Sequence, residues 1–199
     1  AYKEQVSAHR ILSRFYRGDG KLYDLEFLLD PAGKRVAAFG YWAGFVGAGL
    51  SLLAWARNNH SIRPFLNQKE FLNHISSELD GVTKPTVLII GANGRCGHGA
   101  KACFESFGIQ PKLWDIEETK FGGPFSEILS FDILLNCVLL QGRVAPFLNS
   151  DLLRRPRRLT VIADISCDPL SPFNPLPIYN QTTSLKLPAK EFGRQRGHD

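Results

Sequence analysis

The stretch Thr86-Val-Leu-Ile-Ile-Gly-Ala-Asn-Gly-Arg-Cys-Gly-His-Gly-Ala100 constrains this chain more than any other. Thr86 and the apolar, β-rich residues Val87 to Ile90 run into a turn punctuated by glycines. A helical pattern over 95–107 follows at once. Strand, glycine turn and helix in that order form the phosphate-cradling corner of a dinucleotide-binding unit. Glycines let the backbone approach a pyrophosphate, and the helix N-terminus offers free N–H groups and the positive end of its dipole. The spacing here is Gly91-x-x-Gly94-x-x-Gly97 rather than G-x-G-x-x-G. A tight strand-to-helix turn without a ligand fits the same letters.

A length of 199 residues suits one domain and part of another, and 44% hydrophobic residues suffice to bury a core. No apolar run reaches the roughly 18 residues of a membrane span. The most apolar stretch, 46–56, is shorter and is interrupted by Gly47, Gly49 and Ser51. The polar, charged start has no secretory pattern. The chain contains no methionine, which leads us to expect a fragment of a longer protein. The net charge of +5 draws on Arg154-Arg-Pro-Arg-Arg158 and the C-terminal tail. No aromatics interleave with these arginines, so a solvated connector is expected there and no nucleic-acid partner. Cys96, Cys103, Cys137 and Cys167 show no C-x-x-C pairing and no His-rich spacing, so no metal is expected. Cys96 and Cys103 are seven positions apart on one helix, too far for a disulfide.

Read in order, 6–17 is an amphipathic helix with Val6, Ile11, Leu12 and Phe15 as its apolar stripe. Segments 21–29 and 35–39 read as a two-stranded ribbon about the Asp30-Pro-Ala-Gly33 turn. Residues 40–57 read as a helix despite Gly44, Gly47 and Gly49, which a close helix contact at a domain hinge would explain. Asn67-Gln-Lys-Glu70 opens a helix running to about Leu79. After the glycine corner, Gly108 ends its helix and 112–115 is a strand. A short helix near 125–129 follows the Gly122-Gly-Pro124 turn, and Asn149 or Ser150 caps another. Segments 132–138 and 159–165 are nearly continuous apolar strands. Such strands alternating with helices predict an α/β fold, a Rossmann-type doubly wound parallel sheet buried on both faces. The expected organisation is a remnant of a second, catalytic and substrate domain at 1–38, a cofactor domain at 39–184, and an atypical, poorly ordered tail at 185–199.

Asp115 closes the second strand of the unit, 24 positions after Gly91. An acidic residue near this separation accepts hydrogen bonds from the adenine ribose hydroxyls and repels a 2′-phosphate, which favours NAD over NADP. The same residue would also cap a helical turn at 116–119. In an open α/β sheet ligands lie at the carboxyl ends of the strands. The segments 91–97, 136–139 and 164–168 therefore converge. Cys96 and Cys137 both fall at such ends, and Cys96 opens a helix, which lowers a thiol pKa. A reversible disulfide between them and two buried thiols both fit. Arg35, with Lys34 beside it, is the candidate clamp for a substrate carboxylate; either also reads as an ordinary strand-edge charge. His9, His60, His74, His98 and His198 show no nucleophile or carboxylate partner and read as solvated or capping residues.

Several stretches together resemble one family. LYDLEFL (22–28), GKRVAAFGYWAG (33–44), KPTVLIIGANGRCGHGA (84–100), WDIEET (114–119), GGPFSEI (122–128), NCVLL (136–140), APF (145–147) and DISCDPLSPFNPLPIY (164–179) are similar, in collinear order, to the NAD-dependent, L-lysine-forming saccharopine dehydrogenases. The resemblance covers about residues 1–180. It implies a reversible reaction in which saccharopine, NAD and water yield lysine, 2-oxoglutarate and NADH, the last step of the aminoadipate route to lysine. It also implies a cytoplasmic, monomeric, two-domain enzyme with no membrane partner, its cleft lying between the domains.

Carried over position by position, the resemblance implies cofactor contacts at Lys34, Gly94, Arg95, Asp115, Thr119, Leu139 and Ile165. Substrate contacts would be Gln5, Arg35, Phe39, Ser166, Cys167 and Asp168. Lys3 and Glu26 match ionisable residues lining the cleft, and Cys96 and Cys137 match a pair able to form a disulfide. Leu139 stands where the family usually has tyrosine, Lys34 where it has arginine, and Cys167 where it has a small residue. The family's general-base lysine and general-acid histidine match nothing here and would lie upstream of Ala1. The sequence after Leu185 does not resemble the family. The alternative expectation is therefore a catalytically inactive NAD-binding fragment.

Overall fold

A computed structural model describes residues 8–33, 35–58, 60–138, 140, 142–166 and 169–191; of Glu26 it describes the backbone alone. The chain divides into two compact units, Ala1–Phe39 and Gly40–Asp199.

In the first unit, helix α1 (Ala8–Arg17) ends where Gly18 and Gly20 donate to the carbonyls of Arg14 and Phe15. A 3-10 turn, Leu25–Phe27, then leads to an isolated antiparallel bridge between Leu29 and Arg35. The ribbon expected over 21–39 is thus reduced to one bridge, with Val36 N–H donating to Leu28 C=O beside it. Two short segments need a third strand or an apolar face to persist as a hairpin. Leu25, Phe27, Leu28 and Leu29 instead remain exposed.

The second unit is built on a four-stranded, all-parallel sheet. Its strands are β1 (Val87–Ile90), β2 (Lys112–Trp114), β3 (Ile133–Asn136) and β4 (Val161–Asp164), in the order β2-β1-β3-β4. The central strands β1 and β3 are buried at every position, which is why they read as continuous apolar runs. Alternation along them divides the core. Val87, Ile89, Ile133 and Leu135 face a cluster with Phe45, Leu52, Phe71, Ile75, Ala100 and Phe104. Leu88, Ile90 and Leu134 face Ile128, Phe147, Leu148, Leu152, Leu159 and Leu176. The first cluster is supplied by α2 (Gly40–Trp55), α3 (Gln68–Glu78) and α4 (Arg95–Ser106). The second is covered by a 3-10 turn at Ser126–Ser130, by α6 (Ser150–Leu153) and by loops. The chain therefore lies on one face of the sheet between β1 and β2 and on the other between β2 and β4. This is the doubly wound, Rossmann-like α/β arrangement, with its switch point between β1 and β3. Among the described residues no helix is long and apolar enough to cross a membrane.

The glycines of α2 have a packing cause. A Cβ on Gly44 would lie 1.9 Å from the Cys96 carbonyl oxygen, and one on Gly99 would lie 1.8 Å from that of Tyr41. Two backbones touch there, so α2 and α4 cross at a distance that no side chain permits. At the opposite end of the strands, Asp132 joins three of them. Its carboxylate accepts from the Thr86 N–H at 2.8 Å, the Thr86 hydroxyl at 2.7 Å and the Arg158 guanidinium at 3.0–3.2 Å. Burial pushes this carboxyl up, but Thr86 and Arg158 outweigh it and hold it below the usual range. Arg158 is therefore no simple solvated charge. Arg157 likewise donates to the carbonyls of Leu159 and Leu153, and Arg154 pairs with Asp151.

Candidate functional site

The glycine turn sits at the carboxyl end of β1 and is stitched to the end of β2. Gly91 and Ala92 N–H both donate to the Trp114 carbonyl, at 2.9 and 3.1 Å. Asn93 N–H donates to Asp115 Oδ2 at 2.7 Å, and Gly94 N–H to the Gly91 carbonyl at 3.3 Å. Each glycine answers a different demand. Gly91 has φ +84°, a conformation that L side chains rarely adopt. A Cβ on Gly97 would fall 2.3 Å from the Gly91 carbonyl oxygen and 2.5 Å from Ala92 Cα, so only glycine lets α4 begin this close to the strand. Gly94 is the N-cap residue of α4; it makes no side-chain cap, and a Cβ there would meet only the Gly91 carbonyl oxygen at 3.4 Å. The first-turn amides of α4 thus have no side chain capping them and open space at the cap. That combination fits an anion such as a pyrophosphate.

Asp115 does two jobs at once. It N-caps α5 (Ile116–Thr119): Oδ1 accepts from Ile116 N–H at 2.9 Å, while Glu118 reaches back to the Asp115 N–H at 2.7 Å. Its other oxygen holds the glycine turn through Asn93. Capping and a place at the mouth of the corner are therefore compatible, because each carboxylate oxygen has a second lone pair. Thr119 is buried and donates its hydroxyl to the Asp115 carbonyl at 2.7 Å. It shapes the α5 turn from beneath.

The ends of β3 and β4 form the other wall. Cys137 N–H donates to the Ile90 carbonyl at 2.8 Å, carrying the chain past the end of β1. Ser166 donates its hydroxyl to the Val138 carbonyl. Ile165 is held by its N–H to the Asn136 carbonyl at 2.9 Å, and its side chain packs on α2 at Gly47. Cys96 and Cys137 do meet here, with sulfurs 2.8 Å apart, but both are free thiols. Of the two readings, a reversible disulfide and two thiols, the structure shows no disulfide bond but two free thiols in contact. Their partnership splits their acidity. The Cys137 thiol is pushed up by that contact and by burial, whereas the contact pulls Cys96 down against its own burial. Cys103, fully buried in the core, is pushed up to about 12 by desolvation.

The structure thus brings Gly94, Arg95, Asp115, Thr119, Ile165 and Ser166 to one edge of the parallel sheet. Arg95 is exposed in the first turn of α4. Arg35 and Phe39 belong to the first unit, where Arg35 makes the bridge to Leu29 and Phe39 is exposed. Lys3, Gln5, Lys34, Leu139, Cys167 and Asp168, with the side chain of Glu26 and the tail beyond 191, lie outside the described residues. Sequence reasoning missed a polar pair across the strand ends. Asn136 and Asp164 are register partners, and the Asn136 amide donates to Asp164 Oδ1 at 2.9 Å. Tyr179 donates its hydroxyl to Asp164 Oδ2 at 2.5 Å. The signal available was a polar residue closing each of two apolar strands.

Fold and corner together define a class: a parallel α/β chain with a Rossmann-like glycine turn at its switch point. No protein-family model matches the sequence. Individual relatives do. The chain is 43% identical to saccharopine dehydrogenase (NAD+, L-lysine-forming) of Candida glabrata over 98% of its own length, and 44% identical to that of Schizosaccharomyces pombe over 96%. It is 39% identical to that of Candida albicans over 98%. It spans only 57%, 56% and 58% of those proteins respectively. The chain is a homologue of the saccharopine dehydrogenases (NAD+, L-lysine-forming) over the part of them that it spans.

Proposed function

We propose that this chain supplies the NAD-binding part of a saccharopine dehydrogenase, which converts saccharopine, NAD and water reversibly to L-lysine, 2-oxoglutarate and NADH. The observation that carries the reading is the pairing of Asp115 with the glycine turn. One carboxylate holds the Asn93 amide and stands at the end of β2, where a dinucleotide's ribose would lie beside its pyrophosphate. The relatives' names, which specify NAD+ and lysine formation, point the same way.

In this reading Gly94 and Arg95 receive the pyrophosphate at the N-terminus of α4, and Asp115 accepts from the ribose hydroxyls. Thr119, Leu139, Ile165 and Lys34 would make further contacts with the cofactor. Bound NAD would supply the hydride acceptor. Gln5, Arg35, Phe39, Ser166, Cys167 and Asp168 would hold the amino-acid substrate, with Lys3 and Glu26 setting charge in the cleft. Residues 1–38 are then the remnant of the substrate domain and 39–184 the cofactor domain, working as a cytoplasmic monomer. The second reading is a catalytically inactive NAD-binding fragment.

Two assays on the 199-residue polypeptide test this. Fluorescence titration with NADH should saturate, and NADH oxidation with lysine and 2-oxoglutarate should be slow or absent. Acid–base groups contribute about 10²–10⁴-fold, and the resemblance places them outside these residues. Full turnover would overturn the inactive reading, and absence of saturable NADH binding would overturn both.

A further inference from the structure

The polar chain Asn136–Asp164–Tyr179, buried at Asn136 and half-buried at the other two, has no place in the reading above, yet it lies between the two turns that border the crevice. Asn136 is fully buried at the end of β3. A buried amide needs partners, and its orientation is free unless they fix it. Here Nδ2 donates to Asp164 Oδ1, so Oδ1 of the same amide is left to accept from Val138 N–H at 3.3 Å. The Val138 carbonyl in turn receives the Ser166 hydroxyl, two positions beyond Asp164. Asp164 is itself pinned from the other side by Tyr179, which comes from the loop beyond β4. The carboxylate therefore decides which way the amide faces. Through the amide it decides where the backbone leaves β3, the strand end that carries Cys137 against Cys96 and borders the glycine turn.

We propose that Asp164 is the positioning residue of this corner: by holding the Asn136 amide and the Tyr179 hydroxyl together, it fixes the turn after β3 that forms one wall of the dinucleotide crevice. The proposal deepens the NAD-binding reading and rests on it for its effect on cofactor affinity. Its effect on the wall itself does not depend on that reading.

Asp164→Asn and Asp164→Ala separate shape from charge. The asparagine keeps an acceptor for Asn136 and a polar partner for Tyr179, whereas alanine leaves a buried amide donor unmatched. Loss of such a bond predicts NADH affinity about tenfold weaker in D164A than in D164N, and D164N within about threefold of the parent. The second readout needs no cofactor. Alkylation of Cys96 by iodoacetamide, followed by peptide mass spectrometry, reports whether the Cys137 wall still covers that thiol. Both variants remove the carboxylate charge that acts on Cys96, so the comparison between them does not read that charge. D164A should react about tenfold faster than D164N. Equal alkylation rates in the two variants, with both folded by circular dichroism, would overturn the positioning role. Absence of NADH binding by the parent would instead sink the cofactor reading and leave the alkylation comparison to decide this one.

Discussion

At the residue scale, a few side chains do work that their type alone does not announce. Asp132 is the clearest case. It reads in the sequence as the polar first residue of an apolar strand, but in the fold it clasps Thr86 and Arg158. Its carboxyl is held low in the folded state, so its contribution is present in full above the ordinary carboxylate pKa of about 4 and is lost as pH falls below it. Asp132→Ala should cost about 1–3 kcal/mol, read as a lower denaturation midpoint at pH 7, and the difference from the parent should shrink towards pH 3. A constant difference across that range would contradict the clasp. The thiols offer a second test. Cys96, with its lowered pKa, should be alkylated at pH 8 well before Cys103, whose thiol is pushed up to about 12. Peptide mapping that found Cys103 modified first would contradict the burial described. The lowering of the Cys96 thiol was legible from its place at a helix start, but its first cause, the Cys137 contact, and the Asp132 clasp were not, since the sequence does not show which atoms surround a side chain.

At the element scale, the sequence was most informative where one face or both faces of an element are buried. β1 and β3 were legible as continuous apolar runs because helices and loops cover both faces, and the Asn67 cap was legible because its side chain accepts from Glu70 N–H as capping chemistry requires. The ribbon at 21–39 was misread: among the described residues it forms one bridge, and its apolar side chains Leu25, Phe27, Leu28 and Leu29 are exposed. The glycines of α2, read in the sequence as the mark of a close helix contact, include Gly44, which lets α2 lie on α4. Gly99→Ala should therefore destabilise by about 1–3 kcal/mol or more, seen as a melting temperature several degrees lower. An unchanged melting temperature would mean that the two backbones do not touch. Gly97→Ala pushes α4 away from Gly91 and should weaken NADH binding as well as stability.

At the scale of the whole molecule, the doubly wound sheet places three separated segments at one edge, which is what the order of strands and helices implies from the sequence. The polar link between β3 and β4 was not legible, because register decides that Asn136 faces Asp164 and no local pattern encodes register between strands 28 positions apart. Of the candidate substrate residues, Arg35 and the 166–168 turn were read from residue type and strand order and the others through resemblance; most of them fall outside the described residues or in the first unit. The central claim is that Asp115 and the glycine turn form an NAD site. Its most direct test is the ratio of NADH to NADPH affinity, measured by fluorescence titration for the parent and for Asp115→Asn. A carboxylate at the ribose repels a 2′-phosphate by roughly 1–4 kcal/mol, so the parent should prefer NADH by about tenfold or more, and the variant should lose most of that preference. Equal affinities in the parent, or a preference that survives in the variant, would contradict the account.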